Sequence, residues 1–353
     1  MKKAGIKGRG VAANPMHRYA KVVKERAIEA GENEVPKMET SLSAEMSRTL
    51  ISYNRSPDIP FDRSINPYRG CEHGCVYCFA RPTHAFLDLS PGLDFETRLF
   101  YKPNAVELLR HELAHPRYQC APIAVGANTD AYQPVERKLR ITRSILEVLN
   151  ECQHPFVIVT KSALIERDVD ILQQAAKQHR AAVAVSVTTL DHALSRKLEP
   201  RAATPTRRLQ TITALAEAGI PVMVMLAPII PVLTDQYIER ILGAARDAGA
   251  TASGYVVLRL PHELSTLFSD WLHIHFPLSA QRVLKHLHEI HGGSIYQAEF
   301  GTRLRGQGVF AELIRQRFQK ASKRLGFRPL PELNCDAFEA HRVGGAGEQL
   351  SLF

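Results

Sequence analysis

The chain has no second pair of closely spaced cysteines, no apolar run long enough to cross a bilayer, no internal repeat and no low-complexity tract. The first absence excludes a zinc ribbon built from two C-x2-C knuckles. The longest apolar run, IPVMVMLAPIIPVL at 220–233, is too short for a membrane helix and is interrupted by Pro221, Pro228 and Pro231. No membrane partner is expected. The start, MKKAGIKGRG, is basic but lacks an apolar core segment, so no signal peptide is expected. Six cysteines in 353 residues do not make a disulfide framework: three crowd into 71–78, while Cys120, Cys152 and Cys335 are scattered. A reducing compartment, and hence a soluble cytoplasmic protein, is the expectation.

Apolar residues make up 45% of the chain, enough for a substantial core. Lys and Arg number 45 against 36 Asp and Glu, a net charge of +9 that favours an anionic partner without naming one. Short runs rich in Val, Ile or Ala recur: APIAVGA (121–127), FVIVTK (156–161), AAVAVSVT (181–188), PVMVMLA (221–227) and GYVVLRL (254–260). They read as strands buried on both faces. Segments of helical spacing lie between or after them, at 134–153, 168–179, 204–219, 234–249 and 279–293, and several open on Ser, Thr or Asp. With a first strand just before Cys71, about six strand–helix units result, which predicts an α/β fold on a parallel sheet with right-handed crossovers. A partial barrel and a doubly wound sheet both fit, and in either the site lies at the carboxyl ends of the strands. Residues 1–50 read as a polar arm, 51–293 as the core, 294–342 as a basic, partly helical extension and 343–353 as a flexible tail.

Cys71, Cys75 and Cys78 stand in RGCEHGCVYCFARPTH as C-x3-C-x2-C. A zinc site would need His73 or a distant cysteine to complete it, giving a non-catalytic nucleic-acid-binding protein. Three thiolates can instead hold three irons of a [4Fe–4S] cluster and leave one open. An open iron can take the amine and carboxylate of S-adenosylmethionine (SAM), whose sulfonium an electron then cleaves to a 5′-deoxyadenosyl radical.

The motif, with aromatic Tyr77 before its third cysteine, resembles the radical SAM superfamily. The surroundings NPYRGCEHGCVYC and RPTH are similar to its spore photoproduct lyase-like, DNA repair photolyase branch over roughly 50–290. That resemblance implies a partial (β/α)6, TIM-like barrel with an N-terminal arm and a C-terminal basic helical extension, a [4Fe–4S] cluster on Cys71, Cys75 and Cys78, SAM, and an electron donor such as flavodoxin or ferredoxin. It also implies lyase or modification chemistry on nucleic acid, with a peptide or small metabolite as the alternative substrate. Position by position, Tyr77 is expected near the adenine, Thr129 and Asp130 of GANTD at the SAM amino group, Lys161 of VTKSA at its carboxylate, and Ser186 of VAVSVTT at the ribose or carboxylate. Glu199 and Arg201 are weaker candidates for the same mouth, and His84 has no derivable role. The lyase has a hydrogen-donor cysteine near the end of the second strand. VGANTD has none, which argues against repair of that thymine lesion, and Cys120 and Cys335 read as bystanders.

Residues 301–328 carry eight Lys or Arg and one acid, Glu312, a candidate contact for nucleic acid. His273 and His275 border an apolar helical stripe and read as structural. The chain ends in Gln349, Leu350, Ser351, Leu352 and Phe353 behind the glycine leash GGAGE. Gln suits a pocket rim and Leu and Phe an apolar pocket, similar to the peptides that dock on the bacterial sliding clamp. A peptide ending in these residues is expected to bind a bacterial clamp in a titration, and Phe353→Ala to abolish it. No binding at high micromolar peptide contradicts this.

Overall fold

The structure, a computed structural model, describes residues 6–20 and 39–340. The QLSLF tail lies outside them. In chain order the strands are β1 (Ser41–Ala44), β2 (Ile51–Tyr53), β3 (Arg63–Ile65), β4 (Tyr68–Arg69), β5 (Arg98–Tyr101), β6 (Ile123–Val125), β7 (Phe156–Thr160), β8 (Ala181–Ser186), β9 (Val222–Ile229) and β10 (Ala252–Val257). The main sheet runs β10-β9-β8-β7-β6-β3-β2. Every neighbouring pair from β3 to β10 is parallel, and the edge strand β2 is antiparallel to β3. These six parallel strands in consecutive order form the expected partial barrel, which does not close. β8 is buried along its whole length, as its uncharged AAVAVS sequence requires of a central strand.

Two details differ from the sequence reading. The helix expected over 134–153 is split into Glu136–Leu139 and Ile141–Glu151 by Arg140, whose φ is 53°. The buried Glu136 carboxylate turns onto the second helix and accepts from Thr142 N at 3.0 Å, acting as its cap. The strand beside Cys71, β4, belongs to a separate small sheet with β5 and β1, and the barrel's first strand, β3, ends at Ile65.

Residues 299–305 bridge the open seam. Asp58, on the β2–β3 connection, accepts from Gly301 N at 2.7 Å and Arg303 Nε at 2.5 Å. On the other edge, Val257 N donates to Leu304 O at 2.9 Å and Arg305 to Tyr255 O at 2.8 Å. The basic stretch is therefore less free than its composition suggests. Arg303, Arg315 and Arg317 are paired with Asp58, Glu312 and Glu239. The helix Gly308–Arg324 buries Ala311, Ile314, Phe318 and Ala321 against the core. Its basic end lies at the amino ends of the strands: Ser322 meets Ser253 at 2.9 Å, and Arg328 N donates to Thr251 O at 3.0 Å. Lys320, Lys323, Arg324 and Arg328 thus sit at the opposite end of the sheet from the cysteine loop.

The chain beyond the helix also stays at that end. Asn334 N donates to His179 O at 2.8 Å and Glu339 N to Cys152 O at 2.9 Å, and Phe338 packs on Tyr118 and His154. Cys335 lies beside Cys120 there, away from the mouth. His154 accepts from Tyr118 Oη at 2.7 Å, and its Nδ1 meets Pro155 O at 2.9 Å. Burial pushes its pKa down to about 4, and the same cause holds His84 at about 4. Between the ordinary histidine pKa and 4 the unfolded chain binds protons that the folded chain does not, so stability falls as the pH falls through that window. The loss is about 2 kcal/mol per histidine between pH 7 and 5. Urea midpoints at the two pH values test this: His154→Phe is expected to reduce the difference, and an unchanged pH dependence contradicts it.

Candidate cluster and SAM site

The cysteine loop follows β3 and β4 at the carboxyl edge of the sheet. Cys71 and Cys75 are buried and Cys78 is half-buried; all three are free thiols. The loop is held mainly through its backbone. Arg81, fully buried, donates from all five N–H groups: Nε to Cys75 O (2.9 Å), the others to Gly74 O (3.2 Å), Pro91 O (3.2 Å), Gly92 O (2.9 Å) and Glu96 Oε1 (2.5 Å). Glu96 in turn accepts from Gly10 N at 2.9 Å, and its carbonyl accepts from Arg9 at 2.9 Å. The N-terminal arm is therefore built into the loop's support. Its approach needs glycine on both sides: a Cβ on Gly10 would lie 1.8 Å from Gly74 O, and one on Gly74, whose φ is 66°, would lie 2.7 Å from Glu96.

A second set of bonds ties the loop to the strands. His73 Nδ1 lies 3.3 Å from Asp130 Oδ2. Asp130 also accepts from Tyr132 N (2.9 Å), Thr160 Oγ1 (2.7 Å) and Lys161 N (2.7 Å), so its two oxygens receive four contacts from the protein. Burial alone would raise its pKa, but His73 and these donors outweigh it and hold the carboxyl at about 2. Thr129 Oγ1 donates to Tyr68 O at 2.8 Å. Thr129 and Asp130 thus face the loop and its supports. Glu72 joins Arg201 at 3.0 Å and Thr40 at 2.7 Å.

Tyr77 is buried among Leu194, Leu198 and Leu233. Its hydroxyl donates to Glu199, which is also paired with buried Arg208 and accepts from Thr188 at 2.7 Å. Burial opposes the charge of Glu199, yet Arg208 and then Lys161 dominate and hold it at about 2. The Lys161 ammonium lies 6.0 Å from the Tyr77 ring centre. Ser186 is buried at the end of β8, where its carbonyl accepts from Arg208 at 3.1 Å. Lys161, Tyr77 and Glu199 are thus brought together beside the cysteines, with Ser186 joined to them through Arg208. His84 is a packing residue: it lies edge-on to Phe95, and its Nε2 is 3.0 Å from Arg98 O. Sequence reading missed Arg81, Glu96 and Arg208, since nothing local marks an arginine whose partners are distant carbonyls and carboxylates.

The donor set suits a cationic cluster. Burial raises the pKa of all three thiols, that of Cys75 to about 12, and Asp130 and then the Cys75 and Cys78 thiols further raise that of Cys71. Thiolates held in a buried loop need positive charge beside them. His73, the ligand that would complete a zinc site, is engaged by Asp130.

Residues 65–245 match the Radical SAM superfamily, just over half of the chain. The chain belongs to the radical SAM superfamily. Its cofactors are accordingly a [4Fe–4S] cluster and SAM. An uncharacterised protein of Mycobacterium tuberculosis is 41% identical over 61% of this chain and 64% of its own length. One of Methanocaldococcus jannaschii is 27% identical over 52% of this chain and 65% of its own. The chain thus matches just under two thirds of these relatives' length. Among solved structures, spore photoproduct lyase complexed with dinucleoside spore photoproduct aligns with a TM-score of 0.57 at 12% identity, over 81% of this chain and 80% of that one. The same lyase with bound AdoMet aligns at 0.56. At such identity the likeness concerns the radical SAM fold alone. Among the described residues no helix is long and apolar enough to cross a membrane.

Proposed function

We propose that this chain cleaves SAM reductively and uses the product to open or modify a nucleic-acid substrate. The observation that carries the first part is the trio Cys71, Cys75 and Cys78, two buried and one half-buried, with His73 between them engaged by Asp130. The cluster, when bound, supplies the electron that breaks the sulfonium and yields the 5′-deoxyadenosyl radical. Cys71, Cys75 and Cys78 would hold the cluster. Lys161 would bind the SAM carboxylate, Tyr77 would pack by the adenine and Ser186 would serve the ribose or the carboxylate. Thr129 and Asp130 are positioning residues: Asp130 joins the loop to β7 through His73 and Thr160, and Thr129 holds the carbonyl of Tyr68 ahead of the loop. Glu199 and Arg208 lock the Tyr77 ring through its hydroxyl. Leu198 O, accepting from Val76 N at 3.0 Å, helps hold the loop over the barrel mouth. The electron comes from a carrier of the flavodoxin or ferredoxin class.

The substrate reading is supported by the net charge of +9 and by the resemblance to the lyase-like branch. Lyase action on the spore thymine lesion is disfavoured, because VGANTD offers no cysteine and Cys120 and Cys335 lie at the other end of the sheet. 5′-Deoxyadenosine formation under dithionite is expected to rise when single-stranded, duplex or ultraviolet-damaged DNA is added, and the stimulation to fade at raised salt. Stimulation by a peptide and by no nucleic acid contradicts the substrate reading.

A further inference from the structure

Two residues past β10, Arg259 is a half-buried guanidinium that makes no hydrogen bond or ion pair among the described residues. It lies over the ring of Phe79, 4.7 Å from the ring centre. Phe79 directly follows Cys78 and is 39% exposed, unusual for an aromatic beside a buried loop. The carboxylate that enters the field of Arg259, Asp58, acts more weakly there than the Tyr296 phenol and is already spent on Gly301 N and Arg303. Arg303 covers a second open ring, Phe300, at 4.6 Å, and Phe300 is 56% exposed. Partly buried arginines are ordinarily paired, as Arg143, Arg167 and Arg317 in this chain are. Burial also lowers the pKa of Arg259, as expected of a cation short of solvent and of partners. A cation held without a counter-charge beside exposed rings is the surface that single strands use: phosphate to guanidinium, base to aromatic face.

We propose that Arg259 and Phe79 form the docking point of a single-stranded or locally unstacked nucleic acid, Arg259 taking a phosphodiester and Phe79 a base, with Phe300 as a second ring. This rests on the nucleic-acid reading above and moves the contact from the basic helix to the barrel mouth. An acidic peptide would satisfy Arg259 but leave two open rings unused.

The test is fluorescence anisotropy with the anaerobically reconstituted full chain and a labelled mixed-sequence DNA strand of about 12 nucleotides, over a range of salt. Arg259→Gln is expected to weaken binding about tenfold and to lessen the slope of log affinity against log salt by about 0.7, the share of one phosphate contact. Phe79→Ala is expected to weaken it about tenfold with the salt slope kept. Arg259→Lys, which keeps charge and fold, recovers the slope but not the full affinity. The double variant Lys320→Gln with Lys323→Gln, at the far end of the sheet, is expected to bind as wild type does. Variants are compared at equal iron content, so that a disturbed loop is not mistaken for lost docking. If wild type binds and Arg259→Gln and Phe79→Ala bind equally well, this inference is overturned while the nucleic-acid reading survives. A loss of SAM binding alone in Arg259→Gln, with strand binding kept, overturns it in the same way. If wild type binds no strand at low salt but binds an acidic peptide, both fall.

Discussion

The Cys75→Ala chain is expected to purify colourless, with iron and sulfide at background and no 5′-deoxyadenosine formed from SAM under dithionite. The fold is expected to persist, because position 75 is held by its backbone. Arg81 Nε binds its carbonyl at 2.9 Å, and Cys78 N donates to the same oxygen at 3.2 Å. Removing one thiol leaves two, too few to hold a [4Fe–4S] cluster firmly. Cys71→Ala and Cys78→Ala should behave alike. Cys120→Ala and Cys335→Ala should keep iron and activity, since both cysteines lie at the amino ends of the strands. Iron analysis and circular dichroism on the five variants decide the matter. Wild-type iron in Cys75→Ala would remove the cluster from this loop.

Arg81→Met should have the next largest effect, on stability rather than chemistry. It leaves the fully buried Glu96 carboxylate without its guanidinium and strips four backbone carbonyls of a donor. Breaking one side of a buried pair costs about 3–5 kcal/mol. Urea unfolding should show a loss of that order, and the remaining folded protein should load less iron, since Arg81 fixes the carbonyls of Gly74 and Cys75. Arg81→Met combined with Glu96→Leu should be less damaged than the sum of the two single changes, because no charge is then left buried and unpaired. A wild-type midpoint and wild-type iron content in Arg81→Met would show that the pair does not support the loop.

What the sequence disclosed follows the reach of each interaction. Five of the six parallel strands could be read because a strand buried on both faces needs a run of apolar residues, and such runs are local; the first, Arg63–Ile65, has none. The cysteine trio could be read for the same reason: its ligands lie within eight residues. Supports that join distant parts could not be read. Gly10 meets Gly74, Arg81 meets Glu96, and His73 meets Asp130, and none of these partners marks the other in the chain. GANTD was legible as a ligand segment through its resemblance. Folding gives Asp130 four protein contacts at the loop, a supporting role that a strand-end carboxylate cannot reveal by its spacing. The charge of 301–328 is neutralised in part by residues that composition does not reveal, because Asp58 and Glu239, which pair with Arg303 and Arg317, lie far away in sequence. Helix Gly308–Arg324 was recognisable by period, but the end of the sheet it covers depends on contacts at Ser253 and Thr251.

The most direct measurement is equilibrium binding of SAM to the anaerobically purified chain, made alongside iron and sulfide analysis. We predict iron and sulfide in the ratio of a [4Fe–4S] cluster, SAM binding in the loaded protein, and loss of that binding when the cluster is stripped while the fold is kept. A folded, oxygen-protected chain that carries zinc or no metal, or that binds SAM equally well with and without iron, contradicts the reading of Cys71, Cys75 and Cys78 as a cluster site with one iron left for SAM.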